Sequence, residues 1–349
     1  MGKMGGPDRD PQGLRGPFVA AALVTLILVL ATFSGCTGEP APEKRVIRVV
    51  AAGSLLYPFA EAEERFEALH PGTDVRVEGH GSIQAIRQVT DLGRPFDVVA
   101  VADESLVPDL MYQPMEGTGR NFTDSYVPFA RNEMVIAYTE KSRYGSEITA
   151  ENWPGILSRP DVRVGFSNPM LDAAGYRALM VAVLSGDHYG DPGLFSRVIG
   201  DHFSPPLEVR EDDEVRVVEL PQVMKPSDSH IAIRDGSLFL MSLLAAGGID
   251  YAFEYRSVAE AQNFSWVPLP TEINLADPGL ADRYGTVKVI LGFPRFSSIG
   301  RERTGRPIVY ALTVPNSAPD PAAGGEFVAF VVNESLQGGL GWPAPLGTG

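Results

Sequence analysis

The fold class is decided by residues 46–69, which read VIRVVAAGSLLYPFAEAEERFEAL. Residues 46–51 are almost all β-branched or apolar, a composition typical of a buried strand. The pair Gly53-Ser54 interrupts this run, and from Pro58 onward apolar residues recur at helical spacing until Pro71-Gly72 stops them. The stretch therefore predicts a strand, a tight turn and a helix, in that order.

The same alternation continues further along the chain. Residues 73–78 and 97–101 have the pattern of strands, and residues 82–92 between them have the pattern of a helix. Strands that alternate with helices form a parallel sheet covered by helices on both faces. Ligands of such sheets bind at the carboxyl ends of the strands, which places a predicted site beside Gly53-Ser54 and Gly81-Ser82.

Beyond residue 126 the alternation resumes with a different spacing. Strands are predicted over 134–138, 162–166, 249–255 and 308–314, helices over 176–184, 238–246 and 325–332, and an irregular segment over 201–230. A chain of 349 residues is longer than one ordinary domain. We therefore predict an α/β protein of two lobes, with lobe 1 built from 46–128 and 266–349 and lobe 2 from 129–265.

Composition excludes several classes of protein. With 44% hydrophobic and 21% charged residues, the chain can bury a large core and is not disordered as a whole. The 29 Lys and Arg residues are outnumbered by 44 Asp and Glu, and the net charge of −15 argues against nucleic acid as a partner. A single cysteine excludes a disulfide framework and a Cys-rich zinc site. An anionic ligand would therefore have to be bound by local donors.

The first 36 residues have the pattern of an export signal. A basic flank precedes the uncharged run 18–33, which is short for a membrane span and suits the apolar region of a signal peptide. The following Phe33-Ser34-Gly35-Cys36 looks like a lipobox, in which cleavage leaves Cys36 to carry lipid; an uncleaved N-terminal anchor is the alternative. We predict a signal peptide over 1–35 and a tether linker over 36–45. The protein would then lie outside the cytoplasm, tethered to the outer face of the cell membrane.

Three predicted strand ends combine small residues with the start of a helix. They are Ala52-Gly53-Ser54-Leu55, Gly79-His80-Gly81-Ser82, and Ser167-Asn168-Pro169 running on to Asp172. Glycine lets a ligand approach the backbone, free N–H groups of the helix point outward, and a serine hydroxyl adds a donor. Taken singly, Ser54 and Ser82 are more often plain helix caps. Together, the three corners could bind a small oxyanion with neutral donors.

Several stretches of the chain resemble the archaeal tungstate/molybdate-binding proteins that serve ABC importers. The stretches that carry this resemblance are Ala52-Gly53-Ser54-Leu55, Gly81-Ser82, Glu151-Asn152-Trp153, Gly165-Phe166-Ser167-Asn168-Pro169, Leu171-Asp172, Gly175-Tyr176-Arg177, the nine residues 249–257 (IDYAFEYRS) and Ile273-Asn274-Leu275. The resemblance covers residues 46–332. It implies a two-lobed type II periplasmic-binding-protein-like fold that closes on one oxyanion and delivers it to an ABC permease. The transported tungstate or molybdate is then the ligand, with no cofactor.

The resemblance also implies how the ligand is bound. In this family the metal of the oxyanion is six-coordinate, with two protein carboxylates added to four oxo groups, and the matching positions here are Asp172 and Glu254. Sulfur and phosphorus do not expand their coordination in this way, so these carboxylates would repel sulfate and phosphate. This chain departs from the family by having Ala173-Ala174 where Pro-Cys is expected after the aspartate.

The pattern alone favours simpler roles for the two carboxylates. Asp172 could cap the helix that begins near Tyr176. Glu254 lies opposite the apolar residues of its predicted strand, where it would be solvated or paired with Arg256.

Other functions stay open at this stage. The same fold could bind sulfate, phosphate or ferric iron, and Tyr251 and Tyr255 beside Glu254 are of the type that iron-binding proteins use. His80 and Ser82 with an aspartate could form a hydrolase triad, but no Gly-x-Ser-x-Gly elbow is present. We therefore predict a monomeric binding protein and not an enzyme.

Overall fold

A computed structural model describes residues 1–2, 44–292 and 301–346. The chain divides after Lys44, and the second unit, from Arg45 onward, is compact. The predicted signal peptide and Cys36 lie outside the described residues, apart from the first two. In the part of the chain that the structure describes, no helix has both the length and the apolar character needed to cross a membrane.

Helices and strands alternate along the second unit. The helices are α1 (Leu56–Leu69), α2 (Ser82–Thr90), α3 (Leu106–Met111), α4 (Trp153–Leu157), α5 (Ala173–His188), α6 (Leu194–Val198), α7 (Ser237–Ala245), α8 (Arg256–Ala261), α9 (Ala281–Tyr284) and α10 (Pro321–Gln337). Short 3-10 turns occur at Gly53–Leu55, Gly200–His202 and Pro278–Leu280.

The first sheet has six strands. In spatial order they are β15 (Ala344–Pro345), β4 (Val127–Asn132), β14 (Ile308–Thr313), β3 (Val98–Val101), β1 (Arg45–Ala52) and β2 (Thr73–His80). Strand β1 is parallel to both of its neighbours, and Val49 pairs with Val77 on one side and with Val98 on the other. This confirms the predicted strand–helix–strand order of residues 46–101. Strand β14 inserts antiparallel between β3 and β4.

The second sheet has five strands. In spatial order they are β11 (Ser265–Pro268), β5 (Met134–Tyr138), β10 (Tyr251–Tyr255), β6 (Val164–Ser167) and β9 (Ile231–Arg234). Helix α5 packs against β6 and β10. Only Glu133 separates β4 of the first sheet from β5 of the second, so the chain crosses between the sheets there. The lobe boundaries predicted at 128 and 265 stay a prediction.

A third sheet corrects the prediction for residues 201–230. Its strands, in spatial order, are β13 (Glu302–Thr304), β12 (Val287–Ile290), β8 (Val215–Glu219) and β7 (Val209–Asp212). The segment predicted to be irregular therefore contains a hairpin, and β8 pairs in parallel with β12 from much later in the chain. The two strands of this hairpin have only four and five residues, and β7 is largely exposed. The sequence therefore lacks the alternation of apolar residues that would predict these strands.

Aromatic packing holds α1 against α10. Phe59 and Phe66 both meet Phe327 of α10 edge-on, with ring centroids 6.3 and 5.3 Å apart. All three rings are buried, and each such burial stabilises the fold by about 1.5–3 kcal/mol. This packing fixes the helix that follows the Gly53–Leu55 turn.

Candidate functional site

Ser54 lies in the turn directly after β1 and is buried. Its Oγ accepts a hydrogen bond of 3.1 Å from the hydroxyl of Tyr310, which itself accepts one of 3.2 Å from Nδ2 of Asn132. Ser54 makes no capping hydrogen bond at this turn, so the interpretation as a plain cap is wrong. Because Oγ acts as an acceptor towards Tyr310, the Ser54 proton remains available to a ligand.

Ser82 is the first residue of α2 and is completely buried. Its Oγ accepts a hydrogen bond of 3.0 Å from the N–H of Ala102, which follows β3. The side chain therefore does not cap α2, and its proton is available in the same way as that of Ser54. The backbone N–H of Ser82 donates to Oδ1 of Asp172 over 3.4 Å.

Asp172 directly precedes α5 and is buried. It occupies the N-cap position of this helix and makes no regular side-chain capping hydrogen bond, but the first N–H groups of the helix, at Ala173 and Ala174, still act to lower its pKa. Burial raises the pKa of Asp172, while the side chain of Ser167 and the N–H of Ser82 act against that rise. The carboxylate therefore faces elements from both large sheets.

Glu254 lies in β10, the central strand of the second sheet, and is 0% exposed. Oε1 accepts a hydrogen bond of 2.9 Å from the N–H of Tyr255, whereas Oε2 has no hydrogen-bond partner among the described residues. Burial raises the pKa of Glu254 to about 8; the Tyr255 N–H opposes this rise and the nearby Asp172 adds to it. In the ligand-free protein near neutral pH, Glu254 is therefore mostly uncharged.

The pattern-based alternatives for Glu254 are wrong. The side chain is not solvated, because elements pack on both faces of β10. It is not paired with Arg256 either, since that guanidinium binds Glu133 and Glu260 at 2.9 and 2.7 Å. The alternation rule fails for this strand because both of its faces are buried.

Direct contacts close the site between the two large sheets. The N–H groups of Ile83 and Gln84 donate to the carbonyl of Leu171 over 3.0 and 3.1 Å. A Cβ on Gly81 would lie 2.4 Å from the same carbonyl oxygen, so only glycine fits at this approach. Ser82 and Asp172, which adjoin Gly81 and Leu171, therefore lie at this closure.

The N-terminus of α7 also reaches the site. A Cβ on Gly236 would lie 3.7 Å from the nitrogen of Gly81 and 4.0 Å from Oδ2 of Asp172. A Cβ on Gly53 would lie 3.8 Å from the nitrogen of Ser237. The starts of α2, α5 and α7 and the Gly53–Leu55 turn thus converge, and free N–H groups at helix starts favour a negatively charged ligand.

Two further hydroxyls lie beside the predicted residues: Ser167, which belongs to the third predicted corner but was not singled out as a ligand, and Ser237, which was not predicted. Ser167 and Ser237 are buried, and neither Oγ has a hydrogen-bond partner in the described part of the chain. Ser167 influences the pKa of Asp172, and Ser237 influences that of Glu254, which places them beside the two carboxylates. A sequence signal for Ser237 existed, because Gly236-Ser237 before an apolar helix repeats the pattern of Gly81-Ser82.

The chemistry of this arrangement is specific. Burying a hydroxyl or a carboxyl oxygen without a hydrogen-bond partner costs free energy. A ligand offsets this cost when it forms the missing hydrogen bonds or bonds to those atoms. Hydroxyls and N–H groups suit the oxygens of an oxyanion, whereas carboxyl oxygens suit its central metal. Across the described residues, no group of three or more His, Cys, Asp or Glu side chains is arranged to hold a metal ion.

Comparison with known proteins shows what the chain is similar to. The family model for bacterial extracellular solute-binding proteins matches residues 47–338. A Methanoculleus marisnigri solute-binding protein is 37% identical over 336 residues, covering 93% of this chain and 91% of the relative. The molybdate/tungstate-binding protein WtpA of Thermococcus kodakarensis is 38% identical over 335 residues, covering 89% and 87%.

A solved structure supports the fold. The substrate-binding protein of an ABC transporter from Agrobacterium tumefaciens superimposes with a TM-score of 0.54 at 14% identity, covering 87% of this chain and 80% of that one. The predicted α/β fold of type II periplasmic binding proteins is therefore confirmed.

Proposed function

The chain belongs to the bacterial extracellular solute-binding protein family, and we propose that within this family it binds tungstate or molybdate for import. The proposed ligand-binding residues are Ser54, Ser82, Asp172 and Glu254, with the last two bonded to the metal of the oxyanion. The protein would act as a receptor and not as an enzyme.

The observation that carries this proposal is the pairing of two buried carboxyl groups with neutral donors. Two ionised carboxylates would repel a dianion in a desolvated cleft by several kcal/mol. Glu254 reduces that repulsion in the ligand-free protein because it is mostly uncharged near neutral pH. A direct bond from each carboxyl group to a hard, high-valent metal removes the remaining repulsion. When Glu254 binds the metal, its carboxyl group would release its proton.

The same bonds provide selectivity. Sulfate and phosphate offer the serine hydroxyls similar oxygens, but their central atoms cannot accept two more ligands. For these anions Asp172 stays a repulsive group and the unpartnered Oε2 of Glu254 gains no bond. A site of this kind discriminates against the common oxyanions although it contains the donors that would bind them.

Sequence similarity supports the ligand class. WtpA of Thermococcus kodakarensis is a molybdate/tungstate-binding protein, and its alignment with this chain extends over nearly the full length of both. The family further supports an extracellular location and an ABC permease as the partner that receives the ligand. We propose that Cys36, or an uncleaved N-terminal anchor, tethers a monomer to the membrane.

Calorimetric titration tests the ligand class. The purified protein is titrated with tungstate, molybdate, sulfate, phosphate and ferric citrate. Tungstate and molybdate are expected to bind more tightly than sulfate and phosphate by at least about three powers of ten, or about 4 kcal/mol. Comparable affinity for sulfate would contradict six-coordinate binding and leave the family assignment intact. Tight binding of ferric citrate would show that ferric iron, and not tungstate or molybdate, is the ligand.

X-ray absorption on the tungstate complex tests the coordination independently of affinity. Six oxygen neighbours around tungsten are expected if Asp172 and Glu254 both bond the metal. A shell of four oxygens would show that the carboxylates do not bond it.

A further inference from the structure

Asp103 connects the two large sheets at a place removed from the proposed ligand atoms. It lies two residues beyond β3 of the first sheet, is 3% exposed, and accepts hydrogen bonds from the N–H and hydroxyl of Ser105 at Oδ1. Its other oxygen, Oδ2, faces α5, the helix that packs on the second sheet.

Two consecutive residues of α5 bind Asp103. The hydroxyl of Tyr176 donates to Oδ2 over 2.5 Å, and Nη2 of Arg177 lies 3.4 Å from the same oxygen. Both side chains are buried. Because Asp172 immediately precedes this helix, the three residues Asp103, Tyr176 and Arg177, here called the latch, fix the helix that carries a proposed metal ligand.

Arg177 extends the latch towards both sides of the site. Its Nη1 donates to the carbonyl of Ala102 and to the hydroxyl of Tyr255, both at 2.6 Å. Ala102 is the residue whose N–H binds Oγ of Ser82, and Tyr255 follows Glu254. The guanidinium therefore touches the neighbours of ligand residues on both sheets without itself bonding any of those residues.

Charge explains why these contacts belong to the closed arrangement. A buried guanidinium or carboxylate without its partner is strongly destabilising, whereas water hydrates either group when the sheets separate. Burial would raise the pKa of Asp103, but Arg177 and Arg303 together with Tyr176 lower it to about 2, so the carboxylate is charged in the closed protein. The charges of Asp103 and Arg177 are thus balanced by direct contact when the two sheets meet and by water when the sheets separate.

We propose that the latch of Asp103, Tyr176 and Arg177 sets the fraction of protein in the closed form, and so governs how fast the oxyanion leaves, without touching it. The inference rests on the proposed function for the identity of the ligand. Ligand affinity scales with the fraction of the binding-competent form, so weakening the latch lowers affinity through opening. The coordination of a ligand that is bound stays unchanged.

The test uses Asp103→Asn, which keeps the side-chain size and removes the charge, and Tyr176→Phe, which removes one hydroxyl. Stopped-flow dissociation of tungstate is expected to be faster on the order of tenfold for Asp103→Asn and severalfold for Tyr176→Phe. Small-angle scattering of the ligand-free variants is expected to give a larger radius of gyration than the wild type. X-ray absorption is expected to give the wild-type metal shell.

Asp74→Asn is the control. Asp74 lies in the edge strand β2, its side chain is 30% exposed, and it pairs with Arg76 at 2.6 Å. Its dissociation rate is expected to equal that of the wild type. Wild-type dissociation and an unchanged radius of gyration in both latch variants would overturn the proposal, as would faster dissociation with an unchanged radius of gyration.

Two further outcomes are also decisive. If Asp103→Asn does not fold, Tyr176→Phe decides alone, because it removes a single donor and leaves the ion pair. If the wild type binds neither tungstate nor molybdate, the proposed function fails, and scattering of the ligand-free variants still tests the latch since it requires no ligand.

Discussion

Tyr310 donates its hydroxyl proton to Oγ of Ser54 over 3.1 Å, so a residue of the late strand β14 orients a residue of the first turn. Nδ2 of Asn132, the last residue of β4, donates to the same tyrosine oxygen. The Ser54 hydroxyl is therefore positioned by two strands of the first sheet, and its own proton is left free to donate to a ligand.

Replacing either serine should weaken ligand binding without unfolding the protein. Ser54→Ala and Ser82→Ala are each expected to reduce tungstate affinity by about 1.5–3 kcal/mol, the scale of a lost hydrogen bond to a charged group. Calorimetry gives the affinity and a thermal melt gives the stability. Ser242→Ala is the control, because that exposed hydroxyl bonds only the carbonyl of Leu238. If both variants bind tungstate normally and only their melting temperature falls, the two hydroxyls stabilise the fold and do not bind the ligand.

The two carboxyl groups give predictions of opposite sign for their two roles. If they bond the metal, Asp172→Asn and Glu254→Gln replace a good oxygen ligand by a poorer amide and should weaken tungstate binding about tenfold or more. Sulfate binding should stay weak or improve. If they only tolerate a nearby anion, the same changes should strengthen binding of every oxyanion, so calorimetry with tungstate and sulfate separates the two.

Gly81 is expected to be essential for closure. A methyl group there would lie 2.4 Å from the carbonyl oxygen of Leu171, and a backbone atom cannot give way as a flexible side chain can. Gly81→Ala should therefore hold the two sheets apart, raise the ligand-free radius of gyration and greatly weaken tungstate binding. Gly72→Ala, where a methyl group meets nothing within 4 Å, should behave as wild type. Wild-type affinity in both variants would contradict the closed geometry.

The stability of the ligand-free protein should fall as pH rises from about 5 to 8. The native pKa of Glu254 is about 8 and its ordinary value is 4.5, so across that interval the native state binds more protons than the unfolded state. One such group changes the free energy of unfolding by up to about −1.4 kcal/mol per pH unit. Denaturant unfolding should show this slope, and Glu254→Gln should flatten it. If the wild type and Glu254→Gln show equal slopes, Glu254 is already charged in the native protein and the prediction is wrong.

Local patterns predicted residues 46–101 well because the patterns coincide there with packing. Residues 46–101 combine β-branched runs, helical spacing and Gly-Ser turns, and the structure contains each of those elements. The hairpin in residues 209–219 escaped prediction because its strands are short, charged and partly exposed, and its pairing with β12 is decided by tertiary contacts.

The site shows a similar division. Ser54, Ser82 and Asp172 follow strands, where the rule for parallel sheets places ligands. The position of Glu254 could not be read from alternation, since a central strand with two buried faces has no polar side. Resemblance to a family singled it out, and the orphaned Oε2 gives a physical reason for a ligand there. Ser167 was placed in the third corner but not singled out, and Ser237 was missed because a lone serine before a helix looks like a cap.

The insertion of β14 between β3 and β4 imposes an order on maturation. Ribosomes deliver the chain from its N-terminus, so β3 has an open edge until Ile308–Thr313 has been synthesised. Until then Tyr310 cannot orient Ser54, and the first sheet lacks the strand that joins its two parts. The first sheet is therefore completed, and Ser54 oriented, only when a strand from late in the chain joins strands from its beginning and middle.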